Sequence, residues 1–104
     1  MIYDEDIYLG DIDTSSITDM SELFYRSWRK DFSGIESWDV SSVTDMSLMF
    51  TDCENFNQPL NNWNVSNVTK MSGIFDDCKI NDENKPKFTN MYDLVEKDDD
   101  EMPF

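Results

Sequence analysis

The chain has no histidine, so the side chain that most often serves as a general base near neutral pH is missing. Only three of its 104 residues are glycine, and they form neither a phosphate-binding loop nor a nucleophile elbow. No enzyme is expected, no catalytic residue and no cofactor. Basic residues are also scarce: eight Lys and Arg face 23 Asp and Glu, a formal net charge of -15. Such a surface repels free nucleic acid and anionic membranes and concentrates cationic partners. No apolar run approaches the roughly 20 residues of a spanning helix, so no membrane insertion is expected. Residues 1–30 lack the basic start and apolar core of a secretory leader. Read as full length, the chain is expected in the cytoplasm or elsewhere inside the cell. The two cysteines, Cys53 and Cys78, stand 25 residues apart. On adjacent repeats they would lie about 10 Å from each other, beyond disulfide reach, and they read as small buried thiols.

What the chain does have is a repeat. Residues 38–50, from Trp38 to Phe50, return 25 residues later as 63–75, from Trp63 to Phe75. A looser copy runs from Ile12 to Phe24 and keeps Ile17-Thr18-Asp19-Met20-Ser21. A fixed period of this size predicts a solenoid whose units bury their apolar sides against one another. Trp38-Asp39-Val40 and Trp63-Asn64-Val65 place apolar side chains at i and i+2, which predicts a short strand. Met46, Met49 and Phe50, like Met71, Ile74 and Phe75, fall at i, i+3 and i+4, which predicts one apolar face of a two-turn helix. Thr44 and Thr69 are then candidate N-caps, with Asp19 and Asp45 at the positive end of the helix dipole.

The expected fold is therefore an α/β solenoid of leucine-rich-repeat-like coils, each a short strand plus a short helix. Its predicted core is Ile17, Met20, Phe24, Trp38, Val40, Val43, Met46, Met49, Phe50, Trp63, Val65, Val68, Met71, Ile74 and Phe75. One domain is expected. Residues 1–11 are its N-terminal cap, with Ile7-Tyr8-Leu9 as an edge strand. Residues 12–37, 38–62 and 63–85 form three coils and residues 86–95 a degenerate last coil. Residues 96–104 are a tail that is flexible in this reading.

Four arrangements stand out as candidate sites. Residues 11–22 place oxygen side chains at EF-hand-like intervals but lack the central glycine. The same frame recurs one repeat on, so the pattern belongs to the repeat and no metal is expected. Asp13, Asp39 and Asn64, flanked by Ser15, Ser41 and Ser66, would form a polar row that is either a solvated face or a docking surface for a basic protein. Arg26-Ser27-Trp28-Arg29-Lys30 sets three cations around a tryptophan. Trp28 aligns with Glu54 and Lys79, so an aromatic stands where the other repeats are polar. It is either packed over the N-terminal segment or a binding hot spot. Finally, the charge of -15 would suit a mimic of the phosphate backbone.

The wording Trp-x-Val-Ser-x-Val-Thr-x-Met-Ser-x-Met-Phe, with Phe56-Asn57-Gln58-Pro59-Leu60 ahead of its second copy, resembles the bacterial surface-protein repeat of about 25 residues. That repeat is abundant in mycoplasma lipoproteins and grouped with BspA-like leucine-rich repeats. The resemblance implies a repeat fold, adhesion or protein–protein contact, no catalytic residues, and a possible place at the cell surface. The reading that follows is a non-enzymatic protein-interaction module, with Arg26, Trp28, Arg29, Lys30, Asp13, Asp39 and Asn64 as its binding face. The alternative is an acidic mimic that inhibits a nucleic-acid-binding protein, as a phage or plasmid inhibitor does.

Overall fold

The computed structural model describes residues 7–88. The start of the N-terminal cap, most of the degenerate last coil and the tail at 96–104 lie outside the described residues.

Each repeat turns at the same four places. Backbone N–H groups donate to the carbonyl three residues back from Ile12 to Leu9, Trp38 to Ile35 and Trp63 to Leu60. The second turn joins Ile17 to Thr14, Val43 to Val40 and Val68 to Val65. The third joins Leu23 to Met20, Met49 to Met46 and Ile74 to Met71, and the fourth Ser27 to Phe24, Cys53 to Phe50 and Cys78 to Phe75. With the exception of half-buried Phe75, every carbonyl residue in this series is buried. These turns thus begin at residues whose side chains face inward.

Adjacent repeats are joined between these turns. The N–H groups of Met20, Glu22, Phe24 and Arg26 donate to Asp45, Ser47, Met49 and Thr51 of the next repeat at 2.7–3.0 Å. Those of Met46, Leu48, Phe50 and Asp52 donate to Lys70, Ser72, Ile74 and Asp76 in the same way. Parallel bridges pair Asp19 with Asp45 and Asp45 with Lys70.

The α/β solenoid and its leucine-rich-repeat-like units are corrected here. Among the described residues there is no strand and no α-helix, only the one-turn 3-10 helices Leu9–Asp11, Ile35–Ser37 and Asp82–Asn84. The expected helix is a run of turns because its N–H groups alternate in destination. One goes to the next repeat, and the following one goes three residues back in its own repeat. An α-helix would send every one to the fourth residue back. Left-handed residues enforce the alternation: Glu22, Leu48 and Gly73 have φ of 58, 58 and 67°, and Arg26, Asp52 and Asp77 have 57, 62 and 55°. The i, i+3, i+4 spacing places side chains on one side of a turn as well as on one side of a helix, and a two-turn helix has little stability of its own to resist the change. Thr44 and Thr69 consequently cap nothing. Their hydroxyls donate to Thr18 and Thr44 carbonyls, 3.3 and 3.4 Å away, as rungs between repeats. Asp19 and Asp45 meet no helix dipole.

The expected strand at 38–40 keeps its alternation, with Trp38 and Val40 buried and Asp39 exposed. It joins no ladder, and side chains bridge the repeats there instead. Thr14 Oγ1 donates to the Asp39 carbonyl at 2.9 Å and Asn67 Nδ2 to the Ser41 carbonyl at 2.7 Å. The indoles of Trp38 and Trp63 donate to the carbonyls of Leu9 and Ile35. Ile7-Tyr8-Leu9 is no edge strand either, since Leu9 opens a 3-10 turn and Ile7 and Tyr8 are exposed.

The core is one cluster, and Met20, Met46 and Met71 all belong to it. Ile17 and Phe75 are half-buried against it. Phe24, Phe50 and Phe75 stack from the interior out to this edge, at centroid distances of 5.6 and 5.7 Å with planes within 11°. Phe56 lies 4.2 Å from Phe50, and Phe32 meets Phe56 edge-on at 4.8 Å. Stacked and edge-on pairs like these add to the area they bury.

Candidate functional site

The register that stacks the phenylalanines also builds a cleft beside Trp28. Arg26 and Asp52 are equivalent residues of adjacent repeats, and both are left-handed. The Arg26 N–H donates to the Thr51 carbonyl at 2.7 Å, which brings the two chains together at this point. Arg26 Nε then lies 3.5 Å from Asp52 Oδ2, with the Arg26 side chain largely open to solvent and that of Asp52 partly so, and the guanidinium sits 6.0 Å from the Tyr25 ring centroid. The cleft encloses about 290 Å³ and is lined by Arg26, Ser27, Trp28, Lys30, Asp52, Glu54 and Asn55. Two cations come from the first repeat and two carboxylates from the second. Trp28 stands over it 85% exposed.

Arg29 is turned the other way. It is 4% exposed, its Nε donates to the Asp31 carbonyl at 2.8 Å, and its Nη2 donates to the Ile7 carbonyl. The Asn55 amide donates weakly to the Arg29 carbonyl at 3.4 Å. Arg29 is therefore a tie that holds the N-terminal segment and the cleft backbone, and Trp28 and Lys30 on either side of it face outward.

Asp13, Asp39 and Asn64 are exposed and do occupy equivalent places. Each, however, is engaged by its own turn. Asp13 accepts from Ser15 N and Oγ at 3.0 and 2.7 Å, Asp39 from Ser41 at 3.0 and 2.6 Å, and Asn64 from Ser66 at 3.1 and 2.7 Å. Asp19 with Ser21 and Asp31 with Ser33 repeat the motif. The backbone N–H of Ser15 and then its hydroxyl hold Asp13 below the ordinary carboxylate value. For Asp19, Asp31 and Asp39 the serine hydroxyl contributes most and the N–H next. These carboxylates stabilise turns. Among the described residues no group of three or more His, Cys, Asp or Glu is gathered for a metal ion.

Cys53 is buried and donates to the Phe24 carbonyl at 2.9 Å; Cys78 is half-buried near the Phe56 carbonyl at 3.8 Å, and both are free. Burial pushes the Cys53 thiol up to about 12 and raises that of Cys78, which makes poor nucleophiles of both. Asp52, Glu54 and Asn55 were not anticipated as cleft residues. The signal was the repeat alignment, which sets Asp52 against Arg26 and Glu54 against Trp28.

Among the described residues no helix is long and apolar enough to cross a membrane. No curated protein and no solved structure matches the chain. Residues 3–99 match the model of the family described as "Mycoplasma protein of unknown function, DUF285", and the chain, matched over nearly its whole length, belongs to that family.

Proposed function

We propose that the chain is a non-enzymatic protein-interaction module that engages its partner through the Trp28 cleft. The observation that carries this reading is Trp28 itself, 85% exposed beside a cleft rimmed by charged and amide groups. Tryptophan and arginine side chains in such a setting supply much of the energy of protein interfaces. Protein docking is favoured over nucleic-acid mimicry because no row of equivalent residues is uniformly anionic. Asp13 and Asp39 give way to Asn64, Asp19 and Asp45 to Lys70, and Arg26 precedes Asp52 and Asp77. A phosphate mimic needs an unbroken line of one sign. The repeats themselves are, in this proposal, the bacterial surface-protein repeat of about 25 residues, a reading supported by the shared wording of 38–50 and 63–75 and by the family match. A place at the cell surface is compatible with it.

The test is capture of partners from the native cell on immobilised wild-type chain and on Trp28→Ala. The substitution is expected to weaken capture by about 2 kcal/mol, roughly thirtyfold in Kd. Thermal stability should change by no more than about 0.5 kcal/mol, because the side chain is exposed. Equal capture by both proteins would reject the cleft as the docking site.

A further inference from the structure

Building on the docking role of the Trp28 cleft, we propose that the partner it accepts is a second copy of this chain, in a two-fold dimer that seats each protomer's Trp28 in the other's cleft. A two-fold interface brings the same patch against itself, so the patch must complement its own rotated image. The cleft does so in charge. Its first-repeat side carries Arg26 and Lys30, and its second-repeat side carries Asp52 and Glu54. A two-fold axis running between the two sides places the cationic side of one protomer over the anionic side of the other. The four charges cancel within the cleft, whereas the whole chain carries -15. Two copies that meet through these patches therefore bring no net charge of one sign together at the contact.

The cleft also complements itself in shape, since a protruding indole stands next to a hollow of about 290 Å³. Among the described residues the large hydrophobic side chains left exposed are Ile7, Tyr8 and Trp28. Trp28 is the most exposed of the three and the one that stands at the cleft.

Salt should act on this dimer in an unusual direction. At about 0.01 M ionic strength the screening length is roughly 30 Å, and each protomer feels the full charge of the other. At about 0.15 M it is roughly 8 Å, and only the complementary cleft charges remain in range. Association is expected to strengthen between the two.

Sedimentation equilibrium of the full chain tests the proposal. The wild type should be monomeric at low salt and dimeric at physiological salt, and Trp28→Ala should weaken the dimer at least about tenfold. A chain with Arg26→Glu and Lys30→Glu, and another with Asp52→Lys and Glu54→Lys, should each be monomeric and should form a heterodimer when mixed. Thermal melting establishes that each variant is folded, and the exposed Trp28→Ala carries the test where a charge reversal is not. A wild type that stays monomeric at every ionic strength would overturn the dimer. So would a dimer that survives Trp28→Ala. If the wild type is monomeric while Trp28→Ala loses captured partners, the docking role stands and the self-pairing falls.

Discussion

Each Asp-x-Ser step ties a carboxylate to the backbone two residues on, and this gives the turns a pH dependence. Asp13, Asp19, Asp31 and Asp39 are all held below the ordinary carboxylate value by their serines. A group lowered in the folded chain adds stability above its unfolded pKa, and that stability is lost as pH falls through the folded value. Chemical denaturation midpoints should therefore hold above about pH 4 and drop below it. Asp39→Asn should flatten that acid limb while keeping the turn, because Asn64 makes the same bonds to Ser66. The cysteines act at the other end of the scale. With Cys53 pushed up to about 12 and Cys78 also raised, the folded chain keeps thiols that the unfolded chain ionises from about pH 8.5, so stability falls as pH rises past that point. Iodoacetamide at mildly alkaline pH should leave Cys53 unmodified in the native chain and label both cysteines in denaturant, as mass spectrometry would show. Met46 is fully buried in the middle repeat. Met46→Asp puts an unpaired charge there and should cost about 4 kcal/mol or more. An unchanged melting midpoint would contradict that placement.

At the scale of elements, the turns depend on a few backbone positions and on the phenylalanine stack. Gly34 opens the Ile35–Ser37 turn at φ 96°. A Cβ there would lie 2.5 Å from the Gly10 nitrogen and 2.8 Å from the Tyr8 ring. Gly34→Ala should therefore destabilise by about 1–3 kcal/mol, read from denaturation midpoints, through both strain and the lost contact between the two 3-10 turns. Phe50 is fully buried between Phe24 and Phe75 and also stacks on Phe56. Phe50→Ala should cost about 3–5 kcal/mol and Phe75→Ala less, since Phe75 is half-buried. The same comparison explains how the apolar face could be read while the backbone under it could not. Met46, Met49 and Phe50 are buried, as an i, i+3, i+4 spacing requires of either a helix or a turn. The positive φ of Leu48 has no signature in that residue itself; its counterpart Gly73, and an aspartate at the left-handed position 52, are the only hints in residue type.

For the whole molecule, a charge of -15 repels itself more in the compact state than in the unfolded one. Adding salt at neutral pH should raise the melting temperature until screening is complete. The cleft is also a property of the whole, because its two halves come from residues 26–30 and 52–55. Trp28 could be singled out from the alignment, since its counterparts are Glu54 and Lys79. Arg29 could not be separated from its neighbours Arg26 and Lys30, because one of the carbonyls that receive its buried guanidinium, that of Ile7, is distant in the chain.

The repeat register, the apolar positions within each unit and the odd aromatic at Trp28 were determined by the sequence alone, because they depend on side-chain type at a fixed period. Tertiary structure decided the backbone. Whether a peptide N–H bonds within its own segment or across to the next repeat depends on a neighbour that local spacing does not encode, and here alternate N–H groups cross. That division of hydrogen bonds turned the expected strand and helix into successive turns and set Arg26 beside Asp52.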